Sequence, residues 1–176
     1  MTTKLKLNPD ICYLLGIFSG DRPERSGPIK LLTRNERMLE RFVSIFVTQL
    51  DVKPNKFLIK EQDEGLLEAD LYHSKLKRLF EAALKRRLMV FRWPNEYSAN
   101  YLAGIFDSNG GLDNKGLYIR RLSLVDSQLM ENLGIHTSQK GAKSYIRNAS
   151  AFIALIKSFS IVLSNISVPG NERDLR

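Results

Sequence analysis

Residues Tyr13 to Asp21 read YLLGIFSGD, and residues Tyr101 to Asn109 read YLAGIFDSN. Tyr13 aligns with Tyr101, Leu14 with Leu102, Gly16 with Gly104, Ile17 with Ile105 and Phe18 with Phe106, at a constant offset of 88 positions. Five identities in nine, two of them aromatic, point to a duplicated chain. Pro9 can start the first segment as a helix, and Pro94 with Asn95 the second. Gly16 in one copy, and Ala103 with Gly104 in the other, leave a smooth strip on which two helix backbones can approach closely. A glycine in one copy would be incidental to an ordinary core helix. Glycine at the same place in both predicts direct helix-to-helix packing.

The flanking sequence repeats more loosely. In the first half an extended stretch, Pro28 to Thr33, precedes a helical pattern from Asn35 to Leu50 with Met38, Leu39, Phe42, Ile45 and Phe46 on one face and Asn35 as N-cap. Strand-like runs at Lys56 to Gln62 and Leu66 to His73 are separated by Asp63, Glu64 and Gly65, which suit a hairpin turn. A helix from Ser74 to about Met89 closes the half. The second half reads as a strand from Leu117 to Val125, a short helix from Asp126 to Leu133, strands at Ile135 to Gln139 and Ala142 to Arg147, and a helix from Asn148 to about Phe159. Val90 to Ser98, with Trp93 and Pro94, is the expected connector. The division predicted is residues 1–89, a linker at 90–98, and residues 99–176.

Lys and Arg number 27 against 19 Asp and Glu, giving a net charge of +8 and a pI near 9.7. Such a field attracts polyanions, and nucleic acid is the expected partner. Cys12, the single cysteine, excludes an internal disulfide framework and a CxxC metal site, and its apolar neighbours predict a core position. The N-terminus lacks an apolar signal core, and no run approaches the ~20 apolar residues of a membrane span, so a soluble intracellular protein is expected. His73 and His136 have no partners at metal-ligand or triad spacing and read as polar surface or strand residues. Lys75, Lys77, Arg78, Lys85, Arg86 and Arg87 read as the solvated face of a helix.

The two paired segments, with the element order around them, resemble the signature motifs of the LAGLIDADG homing endonucleases in their single-chain form, over nearly the whole chain. The resemblance implies an α+β fold of two pseudo-symmetric α-β-β-α-β-β-α halves. In that fold the motif helices pair at the centre and two antiparallel sheets form a saddle over the DNA major groove. It implies a monomer that binds a long, partly symmetric duplex target. The implied activity is metal-dependent double-strand cleavage with 3′ overhangs by an intron-encoded enzyme, with Mg²⁺ as cofactor and Ca²⁺ or Mn²⁺ able to substitute. Carried onto this chain, the motif-end metal positions are Gly20 with Asp21 in the first copy and Ser108 with Asn109 in the second.

Asn109 departs from the pattern. It is nearly isosteric with Asp but neutral, so it offers a carbonyl oxygen without the charge that holds a divalent cation. Two readings stay open: an enzyme whose carboxylate was removed, or a cleavage-dead member of the fold acting as a DNA-binding regulator or an RNA maturase. A basic scaffold protein without nucleic-acid specificity is a third. Asp107, two residues earlier on the motif helix, is expected to cap or hydrogen-bond rather than to bind metal.

Strand alternation puts Lys56 with Lys60, Arg121 with Ser123, and Lys143 with Tyr145 and Arg147 on common faces. From Asn114 to Ser160 there are seven Lys or Arg and two acids. Arg22, Arg25, Lys30, Arg34, Arg120 and Lys140 are further candidates for DNA contact. By the resemblance, Lys30 and Arg147 are also candidates to stand beside the scissile phosphate, in the catalytic set with Asp21 and Asn109.

Overall fold

The computed structural model describes residues 5–20 and 27–164. Its two motif segments are helices, α1 (Pro9–Gly20) and α5 (Glu96–Asn109). Asn8 caps α1, its Oδ1 accepting from the Ile11 amide at 2.8 Å, and Pro9 opens the helix where no N–H is required. Asn95 caps α5 in a reciprocal box with Ser98. The helices pack backbone to backbone. A methyl group on Gly16 would lie 2.0 Å from the Tyr101 carbonyl oxygen, and one on Gly104 would lie 2.1 Å from that of Tyr13. The reciprocity of the two contacts is the local two-fold that the 88-residue offset anticipates.

Each motif helix is joined to an antiparallel sheet. The N-terminal sheet has strand order β1-β3-β2, from β1 (Ile29–Thr33), β2 (Phe57–Gln62) and β3 (Leu66–Leu71). The C-terminal sheet has order β4-β5-β7-β6, from β4 (Gly110–Asp113), β5 (Gly116–Arg120), β6 (Thr137–Lys140) and β7 (Lys143–Ile146). The run β5-β7-β6 repeats β1-β3-β2, and the position equivalent to β4 in the first half, residues 22–25, lies outside the described residues. Glu64 and Gly65 turn the β2–β3 hairpin in the left-handed region, at φ 61° and 70°.

Helices α2 (Glu36–Leu50), α3 (Ser74–Leu84) and α4 (Arg87–Val90) belong to the first repeat, and α6 (Leu124–Asn132), α7 (Ala149–Ile156) and α8 (Ile161–Ser164) to the second. The α2 face carrying Met38, Phe42, Ile45 and Phe46 is buried, with Asn35 Oδ1 accepting from the Met38 amide. Phe46 stacks on Phe80 at 5.8 Å, and Phe18 meets Phe80 edge-on at 5.5 Å, tying α1, α2 and α3 into one aromatic core. Cys12 is buried there, and burial pushes its thiol up to about 12.

Several sequence expectations change. The strand expected from Leu117 to Val125 ends at Arg120, because Arg121 adopts a left-handed conformation (φ 53°) and Ser123 becomes the N-cap of α6. Arg121 and Ser123 therefore do not alternate along a strand. Gly110–Asp113, to which the sequence pattern assigns no element, is β4. Lys56 lies in a 3-10 turn ahead of β2. The helix expected from Ser74 to Met89 breaks after Leu84 and resumes as α4. His73 caps α3, its Nδ1 accepting from the Leu76 amide at 3.3 Å.

Candidate nucleic-acid interface

Two buried carboxylates lock the motif helices to the rest of the chain. Asp107, on α5, accepts the Tyr13 hydroxyl from α1 at 2.8 Å, the amides of Ile161 and Val162 at 2.8 and 3.1 Å, and the Ser160 hydroxyl. Burial raises its pKa, and these donors oppose the rise. At the symmetric place α1 has Ser19, too short to reach as Asp107 does. Asp126 from α6 supplies the carboxylate instead, accepting Tyr101 at 2.7 Å, Ser19 at 2.9 Å and Ser123 at 2.5 Å while pairing with Arg87 Nε at 2.8 Å. Ser123 and Arg87 are thus structural. Lys77, its ammonium 2.7 Å from the Gly27 carbonyl, is buried rather than solvated.

The C-terminal ends of α1 and α5 converge. A methyl group on Gly20 would fall 2.2 Å from Asn109 Nδ2 and 2.6 Å from Ser108 Oγ. Asn109 Nδ2 donates to Ser108 Oγ at 3.1 Å, which leaves the carboxamide oxygen of Asn109 as an acceptor. Gly20, Ser108 and Asn109, three of the four motif-end positions, therefore stand together. Asp21, Arg22 and Arg25 lie outside the described residues. The oxygen donors at this junction suit a hard divalent cation, but those described carry no charge, and Asp21 is the only carboxylate of the set. No cluster of three His, Cys, Asp or Glu that could hold a metal exists among the described residues.

Each sheet buries one face against helices and turns the other outward. In the C-terminal sheet Leu117, Ile119 and Ile146 point inward. The register sets Tyr118 beside Tyr145 and Ser138, and Arg120 beside Lys143 and Lys140, on the outer face. Asp113 joins them, accepting from Lys143 at 2.7 Å and from Tyr145 at 3.0 Å, and these donors with the Lys115 amide hold its pKa at about 2. Lys143 also sits 4.0 Å over the Tyr118 ring. Arg147, exposed, continues this row one step beyond β7.

In the N-terminal sheet Ile29, Leu31, Ala69 and Leu71 point inward, and Lys30, Leu32, Leu58, Lys60, Glu68 and Asp70 share the outer face. Arg34 forms an exposed pair with Glu64 at 3.0 Å. Glu68, Asp70, Asp113 and Tyr118 also lie on these outer faces, which the pattern of basic residues alone does not reveal. The signal was present in the period of two along LLEADL and GLYIR. His136 pairs with Glu131 at 2.8 Å, and its backbone carbonyl accepts from the Arg147 amide at 2.8 Å. No helix among the described residues is long and apolar enough to cross a membrane.

No protein-family model matches the sequence, and no curated protein matches it. Solved structures do. Mesophilic variants of the homing endonuclease I-DmoI superpose with a TM-score of 0.63 at 19% identity, covering 85% of this chain and 96% of that one. I-DmoI in complex with DNA and Mn gives 0.63 at 19% identity, covering 85% and 97%. I-DmoI with DNA and Ca gives 0.60 at 18% identity, covering 86% and 88%. The architecture expected from the paired motifs is therefore the one observed: this chain has the α+β fold of I-DmoI, a single-chain LAGLIDADG homing endonuclease.

Proposed function

We propose that the chain binds one long duplex DNA target as a monomer and carries the nuclease centre of its fold at the joined ends of α1 and α5. The observation that carries the reading is the convergence of Gly20 with Ser108 and Asn109 at the point where β4 leaves α5. The I-DmoI structures with DNA and Mn or Ca support the same partner and the use of a divalent cation. Both motif copies reside on one chain, so no second copy is needed to complete the site.

In this reading Asp21 and the Gly20 carbonyl, together with the Asn109 carboxamide oxygen, would hold the cation. A bound divalent cation neutralises charge on the scissile phosphate and lowers the pKa of its water. The protein's own contribution is geometric. The Gly16–Gly104 contact sets the separation of the helix ends, and the two sheets fix the duplex beneath them. Arg147, exposed just beyond the end of β7, is our candidate for a phosphate-contacting cation. Asn109 supplies an oxygen without charge, so the centre binds its cation weakly and cuts poorly.

Asn109 also favours a second reading, in which the chain binds nucleic acid, RNA of a parent intron included, without cutting it. Selection from a randomised duplex library, followed by electrophoretic shift with the recovered duplex and with structured RNA, separates the two partners. Recovery of one duplex sequence with weaker RNA binding is expected. Preference for RNA, or no sequence enrichment, would contradict the proposal.

A further inference from the structure

The outer face of the N-terminal sheet carries an arrangement that phosphate binding does not explain. Lys30 stands opposite Asp70, with Leu58 beyond it, and the next rung is Leu32, Glu68 and Lys60. Lys30 Nζ is 3.1 Å from Glu68 Oε1 and 3.6 Å from Asp70 Oδ1. Gln62 Nε2 donates to the other Glu68 oxygen. The Glu68 and Asp70 side chains are 10% and 6% exposed, whereas that of Lys30 keeps 33%, so an ammonium protrudes above two sunken carboxylates. The hydrogen bond from Lys30 lowers the Glu68 pKa, which keeps that carboxylate charged.

A lysine that binds phosphate works as a point charge and gains affinity by releasing counterions. Here the neighbouring Glu68 carboxylate cancels that charge, and a phosphate brought to Lys30 would be repelled by it. What the carboxylates leave is direction. Of three N–H groups Glu68 takes one, and Asp70 Oδ1 at 3.6 Å attracts the ammonium without a hydrogen bond, so two donors remain for a ligand above the sheet. Leu32 and Leu58, 39% and 45% exposed, make the adjoining surface apolar, which suits base edges better than a phosphate. The C-terminal outer face contrasts with it, setting Arg120, Lys140 and Lys143 against Asp113 alone among the described strand residues.

We infer that Lys30 is a base-reading residue, donating to the N7 and O6 edge of a guanine in the major groove, and that Glu68 and Asp70 are positioning residues that aim and neutralise it. The C-terminal sheet supplies the phosphate contacts. This inference rests on the duplex-binding reading above.

The test uses the intact chain and the duplex recovered from a randomised library, with binding followed by fluorescence anisotropy across salt and across every single base change. Lys30→Met should weaken binding to that duplex roughly 5- to 150-fold and erase discrimination at one guanine. Its affinity for unrelated duplex and its salt dependence should be unchanged. Glu68→Gln should do the opposite to charge. It should tighten binding to unrelated duplex, steepen the slope of log K against log salt by about one, and blunt preference at the same guanine. If Lys30→Met weakens specific and unrelated duplex alike and makes the slope shallower, Lys30 is a phosphate contact and the inference is overturned. If it changes neither, Lys30 is outside the interface. If the unmodified chain binds no duplex, the DNA reading fails and this inference falls with it.

Discussion

Asp126 accepts the Tyr101 hydroxyl at 2.7 Å, and in doing so replaces a carboxylate that the other repeat keeps inside its motif helix. Asp107 holds Tyr13 from the paired helix, whereas Ser19 occupies the equivalent place and needs Asp126 behind it. The two-fold is thus preserved in chemistry at the tyrosines but not in the origin of the acid. Tyr13→Phe removes one hydrogen bond to a buried charge, and a loss of about 1.5–3 kcal/mol is expected in urea denaturation. A change below about half a kcal/mol would show that Tyr13 does not carry this bond in solution.

Gly104→Ala tests the helix contact directly. Its new methyl would meet the Tyr13 carbonyl oxygen at 2.1 Å, a backbone atom that cannot swing aside, so α1 and α5 must separate. Overpacking of this kind costs at least 1–3 kcal/mol, and because the displaced atoms are backbone the upper end or beyond is expected. Gly65→Ala, where nothing lies within 4 Å, is the control, with only the strain of its positive φ. Equal melting temperatures for the two variants would contradict the packing described.

Asp113 gives a pH prediction. Its folded pKa is depressed to about 2 by Lys143, the Lys115 amide and Tyr145, below the ordinary 3.8. A depressed carboxylate contributes stability that is complete above 3.8 and is lost as pH falls toward 2. Carboxyl NMR should find its midpoint near the lower value, and Lys143→Met should move it upward. Asp107, raised by burial, acts in the reverse sense, its contribution declining as pH rises above 3.8. A normal Asp113 midpoint would mean that the Lys143 pair does not persist in water.

Arg120→Ala and Lys140→Ala should each weaken binding to specific and unrelated duplex together, and each should reduce the salt slope by about one. Titrations between 50 and 200 mM salt, roughly the range over which such contacts dominate, measure both quantities. Lost sequence preference at an unchanged slope would place these residues on bases instead.

The central architecture was legible because glycine, tyrosine and phenylalanine at one offset constrain the packing of two helices more narrowly than composition does. The outer faces were less so. Lys143 and Tyr145 follow from simple alternation, but the end of β5 depends on Arg121 adopting a left-handed backbone, which side-chain patterning does not reveal. Arg87 looked like a surface residue because its partner, Asp126, meets it only once α4 packs on α6, whereas Ser123 is tied to Asp126 locally, as the N-cap three residues before it. Lys30 was visible as a cation, while the carboxylates that neutralise it became its neighbours only through the β1–β3 register.

Position 109 decides most directly whether the joined helix ends form a cleavage centre. Cleavage of the recovered duplex in Mg²⁺ should be slow or absent for the chain as it is, switched on in both strands by Asn109→Asp, and abolished again when Asp21→Asn is added. Affinity in Ca²⁺ should change far less, because most of it comes from contacts along the sheets. Double-strand cleavage by the unaltered chain as fast as by Asn109→Asp would contradict the paired-acid centre proposed at the ends of α1 and α5.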